Sequence, residues 1–368
     1  MENQTHKKPI DRLYFIDIAR SIAILLMLEG HFVHDSLASI WENDEYLVYY
    51  IWRTIRGFTS PIFLTVTGLV FTYLLMGNNQ DDFWKNKRIL RGFKRVAELL
   101  FWGYLLQYYA FHVLQCIAFG ILTIIIIYGV SKMVKIVPLW IYFFVSGLFL
   151  FYSYLFFVDL GDNYWPNGAP KVIQNIFHGP YSLFPITPNM AFTLFGAMLG
   201  VLVYNYNHLV KTKRVIFSAF IFGVLLFFGS KQVLIWINSF VIPEHILIFK
   251  LDWLFEKLGM VIIILSILLA VESFVLKIKK NNLFLKIGQN TLSIYILHMI
   301  ILYGSITHLG INDFLHKKLD PYEILIYTLG FLSLFIVYVY YIDLIRLRLK
   351  FILEPIKKIT NRAFGIQD

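Results

Sequence analysis

Ten long apolar runs divide the 368 residues, at about 13–33, 58–76, 96–111, 113–130, 138–158, 188–206, 215–229, 254–275, 287–304 and 322–345. A helix needs roughly 20 apolar residues to cross a bilayer, and in hydrocarbon only a helix or a closed barrel satisfies its own backbone. Most of the runs approach that length. The run at 215–229 does so if it extends to about residue 237. Hydrophobic residues make up 58% of the chain and charged residues 15%, against roughly 25% charged in soluble domains. These values exclude a disordered chain and an ordinary soluble globule. The chain is expected to be an all-α, polytopic integral membrane protein of about ten transmembrane helices.

The net charge of +10 agrees with that expectation. Lys and Arg gather on the cytoplasmic flanks of membrane spans. With the N-terminus inside, 24 of the 33 Lys and Arg fall in inside segments, 8 fall outside, and Arg20 lies within the first span. The positive charge therefore reports topology rather than nucleic-acid binding. Both termini are expected in the cytoplasm. The organisation is a segment 1–12, one membrane domain over 13–345 and a basic tail 346–368. Lys7, Lys8 and Arg12 before an apolar run resemble a signal peptide, but no small-residue cleavage site follows, so the run is read as a retained span. Cys116, the only cysteine, sits in an apolar run, where it should pack as a small hydrophobe. It offers no disulfide partner and no cysteine metal site. Gly196 and Gly200 form a small-xxx-small pair suited to close helix packing.

Ionisable residues within spans cost roughly 2.5–3.5 kcal/mol each at mid-helix and point to function. The first run holds Asp17, Arg20, Glu29 and His31, with His34 and Asp35 just beyond. Arg20 and His31 are eleven residues apart, almost three whole turns, so both share one face about 16 Å apart along the axis. Asp17 lies within reach of Arg20 at i,i+3 spacing. Glu29, nine residues from Arg20, should face a different neighbour. This stripe reads as a polar seam ending in a residue that exchanges protons near neutral pH. A packing ion pair and an interhelical histidine are the plainer alternatives.

Other polar groups fall near the same seam. Arg53 and Arg56 precede the second span against the charge rule, and Gly57 and Ser60-Pro61 suggest a bent start to it. His112 and Gln115 lie at an outer turn; Asn290, Tyr295 and His298 belong to the ninth span. On the inside, KNKRILRGFKR (85–95) places Arg88, Arg91 and Arg95 on one helical face, suited to phosphate or to lipid headgroups. The longest outside loop, about 159–187, is rich in turn-formers and aromatics, among them Tyr164, Trp165 and Tyr181, which suit a lid or a sugar platform. No Walker A, HExxH, GxGxxG or GxSxG pattern occurs. His31-x-x-His34-Asp35 is too sparse to argue a metal.

The first-span text DIARSIAILLMLEGHFVHDSL (17–37) resembles the opening helix of transmembrane acyltransferases, whose acyltransferase-3 branch carries Arg-x10-His here as Arg20 and His31. RGFTSPIFLTVTGLVFTYLL (56–75), HVLQCIAFG (112–120), FPITPNMAFTLFGAMLG (184–200) and IGQNTLSIYILH (287–298) are similar to bacterial relatives of heparan-alpha-glucosaminide N-acetyltransferase. The resemblance runs over about 10–304. It implies about ten helices around a pore in the bacterial inner membrane. It also implies acetyl-CoA or another acyl-CoA as donor on the cytosolic side, and an extracytoplasmic carbohydrate hydroxyl or amine as acceptor. His31 would then deprotonate the acceptor or carry the acetyl group, with Arg20, oriented by Asp17, on the donor. In the lysosomal enzyme the histidine follows in the next loop; the matching stretch SIWENDE (39–45) has none, so His34 is the alternative base. Arg88, Arg91, Arg95 and Asn290 would serve the donor, and Arg56, His112, His298 and Trp165 the acceptor. Whether copies associate as a homo-oligomer is left open. The rivals are a glycan or lipid transporter using the same seam, and a non-catalytic scaffold.

Overall fold

The computed structural model describes residues 13–350 apart from 79–82, 109, 161–169, 242–247 and 276–281, together with 354, 358 and 359. The segment 1–12, most of the basic tail and Trp165 therefore lie outside the described residues.

The described residues are mostly helical and include no strand, only two isolated β-bridges, Leu37 with Leu319 and Phe111 with Ser182. In order the helices are α1 (Tyr14–Ser36), α2 (Leu47–Arg56), α3 (Thr59–Gly77), α4 (Lys87–Leu106), α5 (Val113–Met133), α6 (Leu139–Leu160), α7 (Lys171–Phe177) and α8 (Ile186–Asn205). Then follow α9 (Asn207–Val210), α10 (Lys213–Val241), α11 (Asp252–Ala270), α12 (Leu283–Gln289), α13 (Thr291–Tyr303), α14 (Ile311–Leu315) and α15 (Pro321–Arg348).

Each apolar run becomes a helix or a helix pair, and the marginal seventh run extends to 29 residues as α10. Not all of them qualify as spans on length and composition. Among the described residues, seven helices are long and apolar enough to cross a membrane, eight if α12 and α13 are one bent span. The two that fall short, α1 and α4, carry the charged residues of the seam. The expected bent start to the second span is a two-residue break between α2 and α3, which together still make one apolar stretch, Leu47–Gly77; Pro61 lies in the first turn of α3, where a missing N–H costs little. The ninth span is instead sharply broken, α12 meeting α13 at 78°.

The bundle is assembled on close backbone contacts. A Cβ on Gly196 would meet the Thr65 carbonyl, and one on Gly68 the Thr193 carbonyl, so α3 and α8 touch through glycine. Gly196 and Gly200 thus do pack helices. α1 is central and packs on α3, α11, α12, α13 and α15. Its N-terminus lacks a side-chain cap of its own. Glu272, in the π-turn after α11, accepts the Phe15 N–H and pairs with Lys211 at 2.9 Å. Cys116 is fully buried in the main core cluster. α6, α10 and α15 leave large apolar side chains exposed, such as Phe149, Phe228, Trp236 and Leu325. Apolar surface of that extent fits a lipid-facing rim. The protein is a multi-pass membrane protein.

Candidate active site

A cavity of about 780 Å³ opens between α1, α2, α3, α4, α5, α11 and the α12–α13 pair, within the range of small-molecule sites. From α1 it is lined by Arg20, Ala23, Met27, Gly30 and His31, a stripe at spacings of three and four residues. The shared face of Arg20 and His31 thus runs along one wall. The opposite walls supply Arg88, Arg91 and Arg95 from α4, Arg53 and Arg56 from α2, and Lys257 from α11. Among the described residues that line it, none is Asp or Glu. The basic cluster and the histidine, far apart in sequence, share one surface.

At the Arg20 end, the guanidinium donates to Thr291 Oγ1 at 3.1 Å. Asp17, off the cavity wall, is near enough to act on Arg20 electrostatically. Asn290 lies off the lining too. It occupies the break between α12 and α13, where its Nδ2 donates to the Lys286 carbonyl and its Oδ1 accepts from Arg346 at 2.7 Å. Its amide is committed to the bend, and the lining positions are those on either side, Gln289 and Thr291.

At the other end, His31 Nδ1 lies 3.1 Å from His298 Nε2. Tyr303 packs edge-on to both rings and donates its hydroxyl to Asp35 at 2.6 Å. Behind His298 stands Tyr295, whose hydroxyl is 3.3 Å from His112 Nδ1; His112 Nε2 is 3.1 Å from the Gly103 carbonyl. His112 and His298 were expected to meet the acceptor. Both are buried and neither lines the cavity, so they back its wall. His112 is also the N-cap residue of α5, and its backbone N–H donates to Gln115 Oε1 at 3.3 Å.

His34 points elsewhere. Its ring is 45% exposed and faces Glu42 at 3.8 Å, beside Lys317, which donates to the His34 carbonyl and pairs with Glu42. His34 therefore turns away from His31, whereas Asp35 shares Tyr303 with it. Arg56 stands over the Trp52 ring at 5.5 Å, and the Trp52 indole N–H donates to Glu29. Arg53 is paired with Asp44 at 2.7 Å. The segment before α8 reaches the cavity through Phe184, and its backbone at Tyr181, Leu183 and Phe184 is tied to Phe111.

The family model for heparan-alpha-glucosaminide N-acetyltransferase, catalytic, matches residues 12–241, well over half of the chain. The chain belongs to this family. The match covers α1 to α10 and so includes Arg20, His31, Arg56 and the α4 arginines. Thr291, Tyr295 and His298 come from beyond it. No curated protein and no solved structure matches the chain. Membership of an N-acetyltransferase family makes a membrane-embedded transferase the coarse assignment.

Proposed function

We propose that the protein moves an acetyl or other short acyl group from cytosolic acyl-CoA to a hydroxyl or amine of an extracytoplasmic carbohydrate, as a bacterial inner-membrane acyltransferase. In the accompanying orientation residues 1–12 and 346–368 are cytoplasmic and 13–345 form the catalytic membrane domain. The observation that carries the proposal is the cavity itself. It joins four arginines, Arg20, Arg88, Arg91 and Arg95, to a histidine through one continuous space. Arginine suits phosphate, the charged part of a CoA thioester. An imidazole near the far end suits proton transfer to and from a nucleophile.

In this scheme Arg88, Arg91 and Arg95 hold the donor's phosphates and Arg20, steadied by Thr291 and Asp17, fixes its arm. His31 takes the proton from the acceptor O–H or N–H as that atom bonds to the thioester carbonyl carbon. The carbon–sulfur bond breaks, and the proton passes to the departing thiolate. The aromatics Phe184 and Tyr295 shape the passage to the histidine. Loop residues Trp165 and Tyr181 would stack on the sugar.

The test is calorimetric titration of acetyl-CoA into detergent-purified protein, wild type beside Arg20→Ala and His31→Ala, followed by transfer of labelled acetyl to amino-sugar and neutral-sugar acceptors. Saturable binding that weakens in Arg20→Ala, with binding retained and transfer lost in His31→Ala, is expected. A folded wild type that binds no CoA thioester would overturn the proposal and favour transport.

A further inference from the structure

The corner between α12 and α13 is held from outside itself. α12 has seven residues, too few for a helix stable on its own. Asn290 stands at the corner as the N-cap of α13, yet its side chain bonds to none of the first N–H groups of that helix. Two other partners fix the orientation of its amide. The Lys286 carbonyl can only accept, so Nδ2 faces it at 2.7 Å; a guanidinium can only donate, so Oδ1 faces Arg346 Nη2 at 2.7 Å. One turn back on α12, Lys286 Nζ meets Asp343 at 2.6 Å and the Tyr340 carbonyl at 3.4 Å. Residues 286 and 290 share a face of the chain at the corner, and 343 and 346 share a face of α15. The Lys286–Asp343 pair is largely in solvent and contributes little. Arg346 instead makes a charge-assisted bond to a buried residue, the stronger kind of contact. Without it the Asn290 carbonyl oxygen loses its partner.

The same corner is an edge of the donor end of the cavity. Gln289 and Thr291, on either side of Asn290, line it, and Thr291 Oγ1 accepts from Arg20 Nη2 at 3.1 Å. Arg346 is not on the lining. α12 has α1 on one side, in backbone contact at Gly288, and α15 on the other. A corner released by α15 therefore shifts against α1 and carries Thr291 with it. We infer that Arg346 is a positioning residue for the donor site: through Asn290 it fixes the α12–α13 corner, and with it the place of Thr291 and the aim of Arg20. The inference rests on the proposed role of Arg20 for its effect on affinity; the hold on the corner is a property of the resting protein. Apart from Arg20 and Gly288's neighbours on α1, the residues involved lie beyond the matched span 12–241.

The test combines hydrogen exchange, read by mass spectrometry on protein in lipid nanodiscs, with calorimetric titration of acetyl-CoA. In Arg346→Ala the backbone amides of 288–293 should exchange faster than in wild type, while those of α3 and α8 stay unchanged. Arg346→Lys, whose ammonium can still donate to Asn290 Oδ1, should restore the slow exchange. Acetyl-CoA affinity should fall about 2- to 30-fold in Arg346→Ala, the range for residues that act on a site through a network, and recover in Arg346→Lys. Removing a positive charge also weakens an anionic ligand at a distance, and a double-mutant cycle with Thr291→Val separates the two effects. With the Thr291 hydroxyl already gone, Arg346→Ala should cost little further affinity. The same loss in both backgrounds would make Arg346 a remote charge and overturn the inference, as would unchanged exchange at 288–293 in Arg346→Ala. If the corner loosens as expected but the folded wild type binds no CoA thioester, the proposed function fails while the hold of Arg346 on the corner stands.

Discussion

An imidazole that must accept a proton works only while neutral. The transfer rate should therefore fall as pH drops and His31 becomes protonated, and should level off on the alkaline side. Initial rates of labelled-acetyl transfer at saturating donor, followed from pH 5 to 8.5, test this. His31→Gln should lose about 10²- to 10⁴-fold in kcat, the usual share of general-base catalysis. Asn at this position keeps an amide where Nδ1 faces His298, so its loss of activity should reflect the missing base and little lost packing. A rate that rises as the pH falls would remove the base role. The histidine and Arg20 were legible in the sequence because helical spacing alone puts an eleven-residue separation on one face. Their partners were not. Thr291 and His298 are 271 and 267 residues away from Arg20 and His31, and no local pattern encodes a contact made by folding α12–α13 against α1. His298 was visible as a polar residue out of place, but its place behind the wall, instead of on it, depends on packing.

Helices carry the next level of constraint. The ninth span reads as an ordinary apolar run, yet it is broken at Asn290, with Arg346 from α15 holding the break. The short α12 can approach α1 because Gly288 has no side chain: a Cβ there would lie 2.3 Å from the Asp17 carbonyl oxygen and 2.7 Å from Ser21 Oγ. The single Ser21 hydroxyl hydrogen is shared between the carbonyls of Asp17 and Phe284. Gly288→Ala should push the two helices apart, costing about 1–3 kcal/mol as overpacked sites do, and should weaken acetyl-CoA binding through displacement of Thr291. Thermal unfolding and calorimetry on the same sample would show both changes; a variant with unaltered stability would mean the backbone yields freely. Glu272 supports α1 from the other side. Glu272→Ala leaves the Phe15 N–H without its acceptor and Lys211 without its partner, at about 1–3 kcal/mol, whereas Glu272→Gln can still accept from Phe15 and should lose less. The helices themselves were readable from periodicity and run length. The break and the cap were not, since each depends on a residue donated by a distant helix.

The whole molecule sorts its helices by what they face. α6, α10 and α15 turn apolar side chains outward, while α1 and α4, too charged to pass as ordinary spans, turn arginines inward. The long apolar runs made the helical bundle legible; the cavity was not, because the sequence shows arginines only as loop charges or as a costly residue in a span. Gathered together, Arg20, Arg88, Arg91, Arg95, Arg53, Arg56 and Lys257 face one space with no carboxylate among its described lining. Arg53 is paired with Asp44 and Arg95 with Glu98, but Arg20 still feels Arg95, and Arg88 feels Arg91, as like charges, and such a site is stabilised by an anion entering it. If that anion is the phosphate-bearing part of a CoA thioester, affinity should fall stepwise with the phosphates removed. Acetyl-CoA should bind best, acetyl-dephospho-CoA, without the ribose phosphate, about tenfold or more weaker, and acetylpantetheine, without any phosphate, weakest. A charged hydrogen bond lost at each step, about 1.5–3 kcal/mol, sets the scale. The same series on Arg88→Gln should be compressed, since part of the discrimination has been removed from the protein. Calorimetry at two ionic strengths separates contact from field: screening weakens the long-range attraction and lowers all the phosphate-bearing affinities, but leaves acetylpantetheine nearly unchanged. Equal binding of all three donors would mean that the arginines hold something other than a phosphate, and the inner half of the cavity would then have to be assigned to a different ligand.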